Sequence, residues 1–346
     1  MLDDLKYIHQ RDKSDALGIA QNQTDQYLHD FGFSWNPSKT IHEVIVAGMG
    51  GSGLASKAYA NTSSINVPFA TLQDYELPDR VNENTLLICS SYSGNTEEVI
   101  SVFQQAFGEQ FADSRPMVVA ISSGGKLEEL ATQNNVPHLK LPIGYQPRFT
   151  FGYQYRALAE VMASTSLVDG EISAIERSSK NLPTHIEGWL PQVPTSRNLA
   201  KQIALDIVGK SPVVYSCAQL FPGAYKWKIS FNENAKNIAW CNQFPEFNHN
   251  EFLGWSSHPT QKPYAPVFLV SDFDHPRIKK RFSLTSKLLS GKMPAPIVVE
   301  VLGETALERL FFTVALGDFV SLYLALLNNI DPTPVELIEK LKNELN

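Results

Sequence analysis

The chain has 346 residues, 43% of them hydrophobic and 19% charged, a composition that can bury a sizeable core and excludes wholesale disorder. At about 150 residues per domain, this length predicts two domains. The basic residues number 29 and the acidic residues 36, so the formal net charge is −7. That charge argues against a general nucleic-acid binder but leaves a small anionic ligand open. Three scattered cysteines, without CxxC or HExxH spacing, supply neither a disulfide framework nor a zinc motif.

We expect a cytoplasmic protein with no membrane partner. The N-terminal segment MLDDLKYIHQ has aspartates before its first lysine and no long apolar run after it, unlike a signal peptide. The most apolar long stretch, 311–327, contains Asp318 and is shorter than the ~20 residues that a membrane span needs. We therefore interpret this stretch as a buried helix.

Short apolar runs alternate with helix-like segments along the chain, after a polar, amphipathic N-terminal region at 1–33 that is predicted to be helical. The runs are rich in Val, Ile and Leu without alternation, which predicts parallel strands covered on both faces. They lie at 43–48, 67–71, 85–91, 117–122, 136–142, 212–217, 238–244, 266–271 and 296–303. Longer helices are predicted at 154–207, 304–328 and 334–345. This order predicts two α/β halves with doubly wound parallel sheets, joined near 150–155.

A glycine loop, GMGGSG at 48–53, follows the first predicted strand. Glycines allow close approach of the backbone to a ligand, and the next helix directs free N–H groups at it. The simplest alternative is a tight strand-to-helix turn. The spacing also fits the GxGxxG dinucleotide fingerprint, but that pattern alone is weak, and the acidic candidate Asp74 lies in a predicted loop.

A serine-rich turn, SSYSGNTEE at 90–98, follows the strand predicted at 85–91. Asn95 and Glu98 predict a helix N-cap with a capping-box partner. A single hydroxyl would suffice as a cap, so four hydroxyls together with Gly94 favour an anion site, most simply for phosphate. A third turn, SSGGKL at 122–127, lies on the same edge of the sheet. Its Lys126 either faces the phosphate or is an ordinary lysine at a helix start.

The motifs GMGGSG, SYSGNTEE, ISSGGKL, QPR, NENAK, NHNE and DPTP, in this order, resemble the bifunctional phosphoglucose/phosphomannose isomerases. That family is a branch of the sugar isomerase (SIS) superfamily, and the resemblance runs from about Val44 to Lys342. It implies two SIS-type, three-layer αβα domains, at 1–152 and 153–346, and a homodimer with shared active sites. It also implies no metal or other cofactor, and interconversion of glucose 6-phosphate or mannose 6-phosphate with fructose 6-phosphate.

The resemblance also implies which residues bind the substrate. Ser91, Ser93 and Thr96 match the hydroxyls that bind the phosphate in this family. Gly51 and Ser52 match positions of the glycine loop beside the sugar.

Four residues match the catalytic positions of the family. Arg148 in QPR matches the arginine that stabilises the enediolate, and Glu233 in NENAK matches the base. His249 in NHNE matches the ring-opening histidine, which in the family comes from the neighbouring subunit. Lys342 matches a lysine on the last helix that also assists ring opening. Taken without the resemblance, Glu233 and His249 would more often be surface side chains, Arg148 is as readily a surface arginine, and Lys342 could be a lysine that snorkels at an apolar edge. The carboxylates that flank His249 in sequence could orient its ring.

Helical periodicity gives an independent prediction for two of these residues. In 223–238, an apolar stripe recurs at spacings of three and four, and Glu233 lies about 200° around the helix from Phe231, pointing away from the core. In the last helix, Thr333 is predicted as the N-cap. Lys342 falls about 20° from Val335, at the edge of a face predicted to be buried. A non-catalytic sugar-phosphate sensor and a SIS isomerase for another sugar phosphate remain as alternatives.

Overall fold

The computed structural model describes residues 1–345, which divide into two compact units. The five-strand unit comprises 23–180; the four-strand unit comprises 1–22 and 181–345. Helices α1 (Leu5–Arg11) and α2 (Ala16–Gln21) therefore belong to the four-strand unit. These units differ from the domains predicted by the resemblance, which divide at 152, because the helical segment after 152 groups with the first sheet. The limits 1–152 and 153–346 stay a prediction about the two SIS halves.

The five-strand unit is built on a parallel sheet in the order β2-β1-β3-β4-β5. Its strands are β1 (Glu43–Ala47), β2 (Phe69–Leu72), β3 (Thr85–Ser90), β4 (Met117–Ser122) and β5 (His138–Lys140). Its helices are α3 (Gln23–Leu28), α4 (Gly50–Thr62), α5 (Glu97–Ala106), α6 (Gly125–Gln133), α7 (Phe151–Ala163) and α8 (Glu171–Ser179). Every residue of β3 and β4 is buried, as expected for strands covered on both faces. The five strands confirm the predicted runs of the first half.

The strand order of this sheet predicts a ligand site at the carboxyl ends of β1 and β3. From β1 the chain passes to β2 on one side, while β3 pairs with β1 on the other side. The strand order thus reverses between β1 and β3. In open α/β sheets, ligands bind beyond the carboxyl ends of the strands at such a switch point. The glycine loop follows β1 and the serine turn follows β3, so both lie there.

The four-strand unit has a second parallel sheet, in the order β7-β6-β8-β9. Its strands are β6 (Ser211–Cys217), β7 (Trp240–Phe244), β8 (Tyr264–Val270) and β9 (Ile297–Glu300). Its remaining helices are α9 (Leu182–Glu187), α10 (Leu199–Ile207), α11 (Phe221–Glu233), α12 (Glu251–Gly254), α13 (Pro276–Leu288), α14 (Ala306–Leu327) and α15 (Glu336–Leu345). The two sheets confirm the predicted pair of parallel α/β halves.

Helix α14 is long and apolar enough to cross a membrane, but 94% of its most apolar 18-residue window is buried inside the protein. This confirms the prediction of a buried helix. Its one acidic side chain in the interior, Asp318, contacts the ammonium of Lys226 and accepts a hydrogen bond of 2.9 Å from Ser230 Oγ. Both partners lie on α11, so the buried charge is neutralised and hydrogen-bonded, as burial of a carboxylate requires. The same contacts fix α11 against α14.

Candidate active site

The serine turn after β3 is closed by hydrogen bonds among its own residues. Ser91 Oγ lies 2.7 Å from Thr96 Oγ1 and accepts a hydrogen bond of 3.1 Å from the backbone N–H of Gly94. Ser93 Oγ accepts one of 3.3 Å from the N–H of Asn95. Ser91 is buried, whereas Ser93 and Thr96 are half-buried. The three predicted phosphate ligands therefore belong to one compact turn, in which Ser93 and Thr96 are partly exposed and Ser91 is buried.

Helix α5 begins directly after this turn, with Thr96 as its N-cap and no side-chain capping bond. The predicted cap at Asn95 is wrong, because Asn95 Oδ1 accepts a hydrogen bond of 2.9 Å from the N–H of Lys126 instead. The first N–H groups of a helix need partners from outside the helix. With no capping side chain, those of α5 can donate to an anion held by the serine turn.

The third turn, at 122–127, is hydrogen-bonded to the serine turn. The N–H and the hydroxyl of Ser123 both donate to the carbonyl of Tyr92, at 2.9 and 2.7 Å, and the N–H of Leu127 donates to the carbonyl of Gly94 at 2.8 Å. Lys126 Nζ pairs with Glu129 Oε2 at 3.0 Å on the surface. Of the two predictions for Lys126, the structure supports the ordinary lysine at a helix start.

We predict that Gly94→Ala disrupts the serine turn. Gly94 has φ +70°, and a methyl group there would lie 1.7 Å from the carbonyl oxygen of Gly124. Left-handed backbone and overpacking together should reduce the free energy of unfolding by roughly 2–4 kcal/mol. Because the turn would have to move, the KM for the sugar phosphate should rise at least about tenfold. Urea unfolding and steady-state kinetics measure both effects.

Gly32→Ala is the matched control for this prediction. Gly32 has φ +61°, and a methyl group there would meet nothing within 4 Å. It therefore reports the cost of the left-handed backbone alone, about 1 kcal/mol, without a change in KM. Equal effects of the two substitutions would show that contact with Gly124 does not matter.

Arg148 and the glycine loop are neighbours in the five-strand unit. Arg148 lies in a 3-10 helix, Pro147–Phe149, and a methyl group at Gly51 would lie only 3.0 Å from the carbonyl oxygen of Pro147. Arg148 is 2% exposed and its guanidinium lies over the ring of Phe149, so the surface alternative for this residue is wrong. Ser52 is also buried. The unit thus brings together Arg148, the glycine loop and the switch point of its sheet.

Glu233 is the last residue of α11 and lines a cavity of about 640 Å³. Ile238, Asp331 and the first turn of α15 form other parts of the cavity wall. Phe231 is fully buried, as the apolar stripe predicts, and Glu233 is half-buried in the cavity. The stripe is wrong for Ile238, which is 61% exposed because α11 ends before it.

The asparagines on either side of Glu233 are tied to the scaffold. Asn232 Oδ1 accepts a hydrogen bond of 3.0 Å from the N–H of Ala239, and Asn234 Nδ2 donates one of 2.9 Å to Ser321 Oγ on α14. These bonds hold the end of α11 while the carboxylate between them points into the cavity.

His249 is presented in a similar way at the end of a 3-10 helix, Glu246–His249, after β7. Asn248 Nδ2 donates to Thr285 Oγ1 at 3.2 Å, and Asn248 Oδ1 accepts from Arg281 at 3.0 Å. Asn250 Nδ2 donates to Glu246 Oε1 at 2.5 Å. The imidazole itself is exposed, and within residues 1–345 it has no hydrogen-bond or ion-pair partner.

Among residues 1–345, no carboxylate orients the His249 ring. The carboxylate of Glu251 accepts hydrogen bonds from the Tyr215 hydroxyl and from Asn242 Nδ2, the latter at 2.7 Å. Glu246 accepts from Asn250. The suggestion that a flanking carboxylate orients the ring is therefore wrong; these carboxylates fix the segment that carries His249.

Glu233 and His249 of one chain lie at opposite ends of the strands of the same sheet, Glu233 at the amino ends and His249 at the carboxyl ends. Helix α11 starts after the carboxyl end of β6 and runs back, so Glu233 lies near the amino end of β7, which starts at Trp240. His249 follows the carboxyl end of β7. The five residues of β7 alone span about 16 Å between the two ends.

Helix α15 is exposed along its whole length. No residue of Glu336–Leu345 is buried, and Ile338, Leu341 and Leu345 are 41%, 60% and 63% exposed. The predicted burial of this apolar face is therefore wrong within a single chain. Lys342 follows Ile338, a residue of the cavity wall, by four positions and so shares its face about 6 Å along the axis.

The last helix also begins later than predicted. It starts at Glu336, where the carbonyl of Val335 accepts the N–H groups of Ile338 and Glu339. Thr333 is therefore not its N-cap, and its N–H donates to Asp331 Oδ1 at 3.0 Å. Within residues 1–345, no three His, Cys, Asp or Glu side chains form a group that could hold a metal ion.

Comparison with known proteins identifies the class and then the family. A glucose-6-phosphate isomerase-like protein from Thermus thermophilus superposes with a TM-score of 0.66 at 17% identity, covering 99% of this chain and 98% of that one. Residues 196–345 match the bacterial phospho-glucose isomerase C-terminal SIS domain. The fold is thus that of the SIS-type phosphosugar isomerases.

Two relatives are more similar in sequence. The bifunctional phosphoglucose/phosphomannose isomerase of Caldicellulosiruptor bescii is 35% identical over 312 residues, 89% of this chain and 91% of that protein. A D-glucosamine-6-phosphate 4-epimerase of Sulfolobus acidocaldarius is 31% identical over 68% of this chain and 70% of that protein. The chain belongs to the bifunctional phosphoglucose/phosphomannose isomerase family.

Proposed function

We propose that the protein is an aldose–ketose isomerase that interconverts glucose 6-phosphate and mannose 6-phosphate with fructose 6-phosphate through a cis-enediolate. One observation carries this proposal: the family's base position, Glu233, is half-buried and lines a cavity whose wall also includes the first turn of α15, the helix that carries Lys342. One carboxylate can remove the proton from C2 of the aldose and return it to C1. The two aldose phosphates differ only at C2, so one enediolate serves both.

The five-strand unit supplies the proposed phosphate-binding groups and the proposed catalytic cation, the guanidinium of Arg148. Ser91, Ser93 and Thr96, with the uncapped first turn of α5, would donate hydrogen bonds to the phosphate, and the loop of Gly51 and Ser52 would border the sugar. Arg148 is buried and always charged, so its guanidinium can stabilise the enediolate oxygen without reorganisation.

Ring opening must precede isomerisation, because hexose phosphates are mostly cyclic. It needs a proton donor and a proton acceptor at the ring oxygen and the anomeric hydroxyl. We assign these steps to His249, whose ring has no competing partner in the described chain, with assistance from Lys342. An imidazole is suited to both roles because its ordinary pKa of about 6.5 lies near neutrality.

We further propose a cytoplasmic homodimer in which His249 serves the site of the neighbouring subunit. The separation of Glu233 and His249 across one sheet supports this assignment, since both must reach a single hexose. The exposed apolar side chains of α15 also favour a partner surface. The substrate is a small sugar phosphate, and no nucleic acid or membrane partner is proposed.

A coupled assay on the purified protein tests the proposed function. We expect turnover of both glucose 6-phosphate and mannose 6-phosphate to fructose 6-phosphate, without added metal and in the presence of EDTA. Arabinose 5-phosphate and glucosamine 6-phosphate serve as comparison substrates. Absence of turnover on both aldose 6-phosphates would contradict the proposal, and binding without turnover would identify a sugar-phosphate sensor.

A second candidate follows from the relative in Sulfolobus acidocaldarius, which is named D-glucosamine-6-phosphate 4-epimerase. A protein with that activity would change the configuration at C4 of glucosamine 6-phosphate and form no ketose. Proton NMR of the products distinguishes the two reactions directly.

A further inference from the structure

We propose that Lys236 is a positioning residue that fixes the C-terminal helix against the end of the helix carrying Glu233. The inference rests on the proposed function and concerns how the same site keeps its geometry. Lys236 belongs to the cavity wall, as do Glu233 and the first residues of α15. It lies three residues after the base, beyond the end of α11.

The side chain of Lys236 joins two segments that are far apart in sequence. Its Nζ donates to the carbonyl of Asn234 at 3.3 Å, and to the carbonyls of Asp331 and Pro332 at 3.0 and 2.9 Å. An ammonium has three N–H donors, which is enough to serve all three carbonyls. One acceptor belongs to the end of α11 and the other two to the turn that leads into α15.

The backbone at Lys236 is unusual for a lysine. Its φ is +49°, in the left-handed region that glycine adopts without strain and other L-residues rarely occupy. Such strain persists where surrounding structure compensates for it, and it occurs often at functional sites. A glycine would suit this turn equally well, so the backbone alone does not account for the lysine. The three hydrogen bonds to carbonyls account for the presence of a lysine at this position.

The consequence of these contacts is control over one wall of the cavity. The turn at 331–334 leads directly into α15, which supplies Ile338 to the wall and carries Lys342 one turn further on. No residue of α15 is buried, so core packing does not fix the position of this helix. A displacement of about 1 Å in a catalytic group can reduce a rate about a hundredfold. Lys236 therefore sets the position of α15 relative to Glu233.

Three substitutions test this inference by steady-state kinetics. Lys236→Gly removes the side chain and leaves a residue that adopts φ +49° freely, and Lys236→Met keeps the aliphatic stem without the donors. We expect both to lower kcat at least about tenfold while KM changes less than about threefold, because the phosphate turn lies in the other unit. Lys236→Arg keeps donors for the carbonyls and should recover kcat to within about fivefold of the wild type.

Lys262→Met is the matched control, since Lys262 Nζ also donates to two main-chain carbonyls, those of Ser257 and Pro259. It should leave kcat unchanged. If the wild type turns over substrate and Lys236→Gly and Lys236→Met retain kcat within about twofold, the inference is overturned. A purely structural role, seen as a normal kcat per folded molecule or as no recovery with arginine, also overturns it. An inactive wild type would instead contradict the proposed function.

Discussion

Replacing Glu233 with glutamine is expected to lower kcat about a thousandfold, because a positioned general base contributes roughly 10²–10⁴ to the rate and the amide cannot accept the proton. The side chains are nearly isosteric, so the cavity should keep its shape and KM should stay within about threefold of the wild-type value. Coupled assays on glucose 6-phosphate and mannose 6-phosphate measure both constants. The loss should be equal for the two aldoses because they share one enediolate.

Proton exchange provides a second readout for the Glu233 substitution. In deuterium oxide, the wild type should incorporate deuterium at C1 of fructose 6-phosphate, and Glu233→Gln should not. Glu187→Gln is the control, because Glu187 is an exposed glutamate at the end of α9. Turnover of Glu233→Gln within about threefold of the wild type would assign the base to another residue.

The fold was predictable because its strands and helices are marked by patterns of apolar residues that are local in sequence. Parallel strands buried on both faces read as continuous apolar runs, and β3 and β4 are buried at every residue. The buried helix α14 was predicted correctly although the length argument failed, because the helix extends over 22 residues and is long enough to cross a membrane. The partner of its Asp318, Lys226, depends on how α11 packs on α14 and has no local signal.

The site was only partly predictable, because several of its features depend on contacts between distant segments. Asn95 fits an N-cap by sequence, but the third turn supplies it with a different partner, the N–H of Lys126. Helical periodicity correctly placed Glu233 away from the core. It did not reveal that α15 is exposed, since periodicity identifies an apolar face without showing what covers it.

The motifs NENAK and NHNE share a structural feature that the sequence alone does not show. In each, the proposed catalytic residue lies between asparagines whose amides form hydrogen bonds to neighbouring groups. Asparagine is a poor helix former, yet its amide can satisfy main-chain and side-chain groups at the end of an element. The flanking asparagines therefore hold the backbone on both sides of the proposed catalytic residue.

Mixing two inactive variants is expected to restore activity. Glu233→Gln should be nearly inactive, and His249→Asn should lose about a hundredfold through slow ring opening. In a mixed dimer with shared sites, one site combines the intact Glu233 of one subunit with the intact His249 of the other. Random assembly gives mixed dimers in half of the molecules, each with one working site, so about a quarter of the wild-type specific activity should return.

Purification through two different affinity tags sharpens this test, since isolated mixed dimers should reach about half of the wild-type activity. Glu233→Gln paired with the double variant Glu233→Gln/His249→Asn is the control, because no arrangement of these chains contains an intact site. If Glu233 and His249 of the same chain acted together, every site in the mixed dimer would lack one of them and nothing would be restored. The two residues lie at opposite ends of the strands of one sheet, at least the length of β7 apart, which is why we expect restoration.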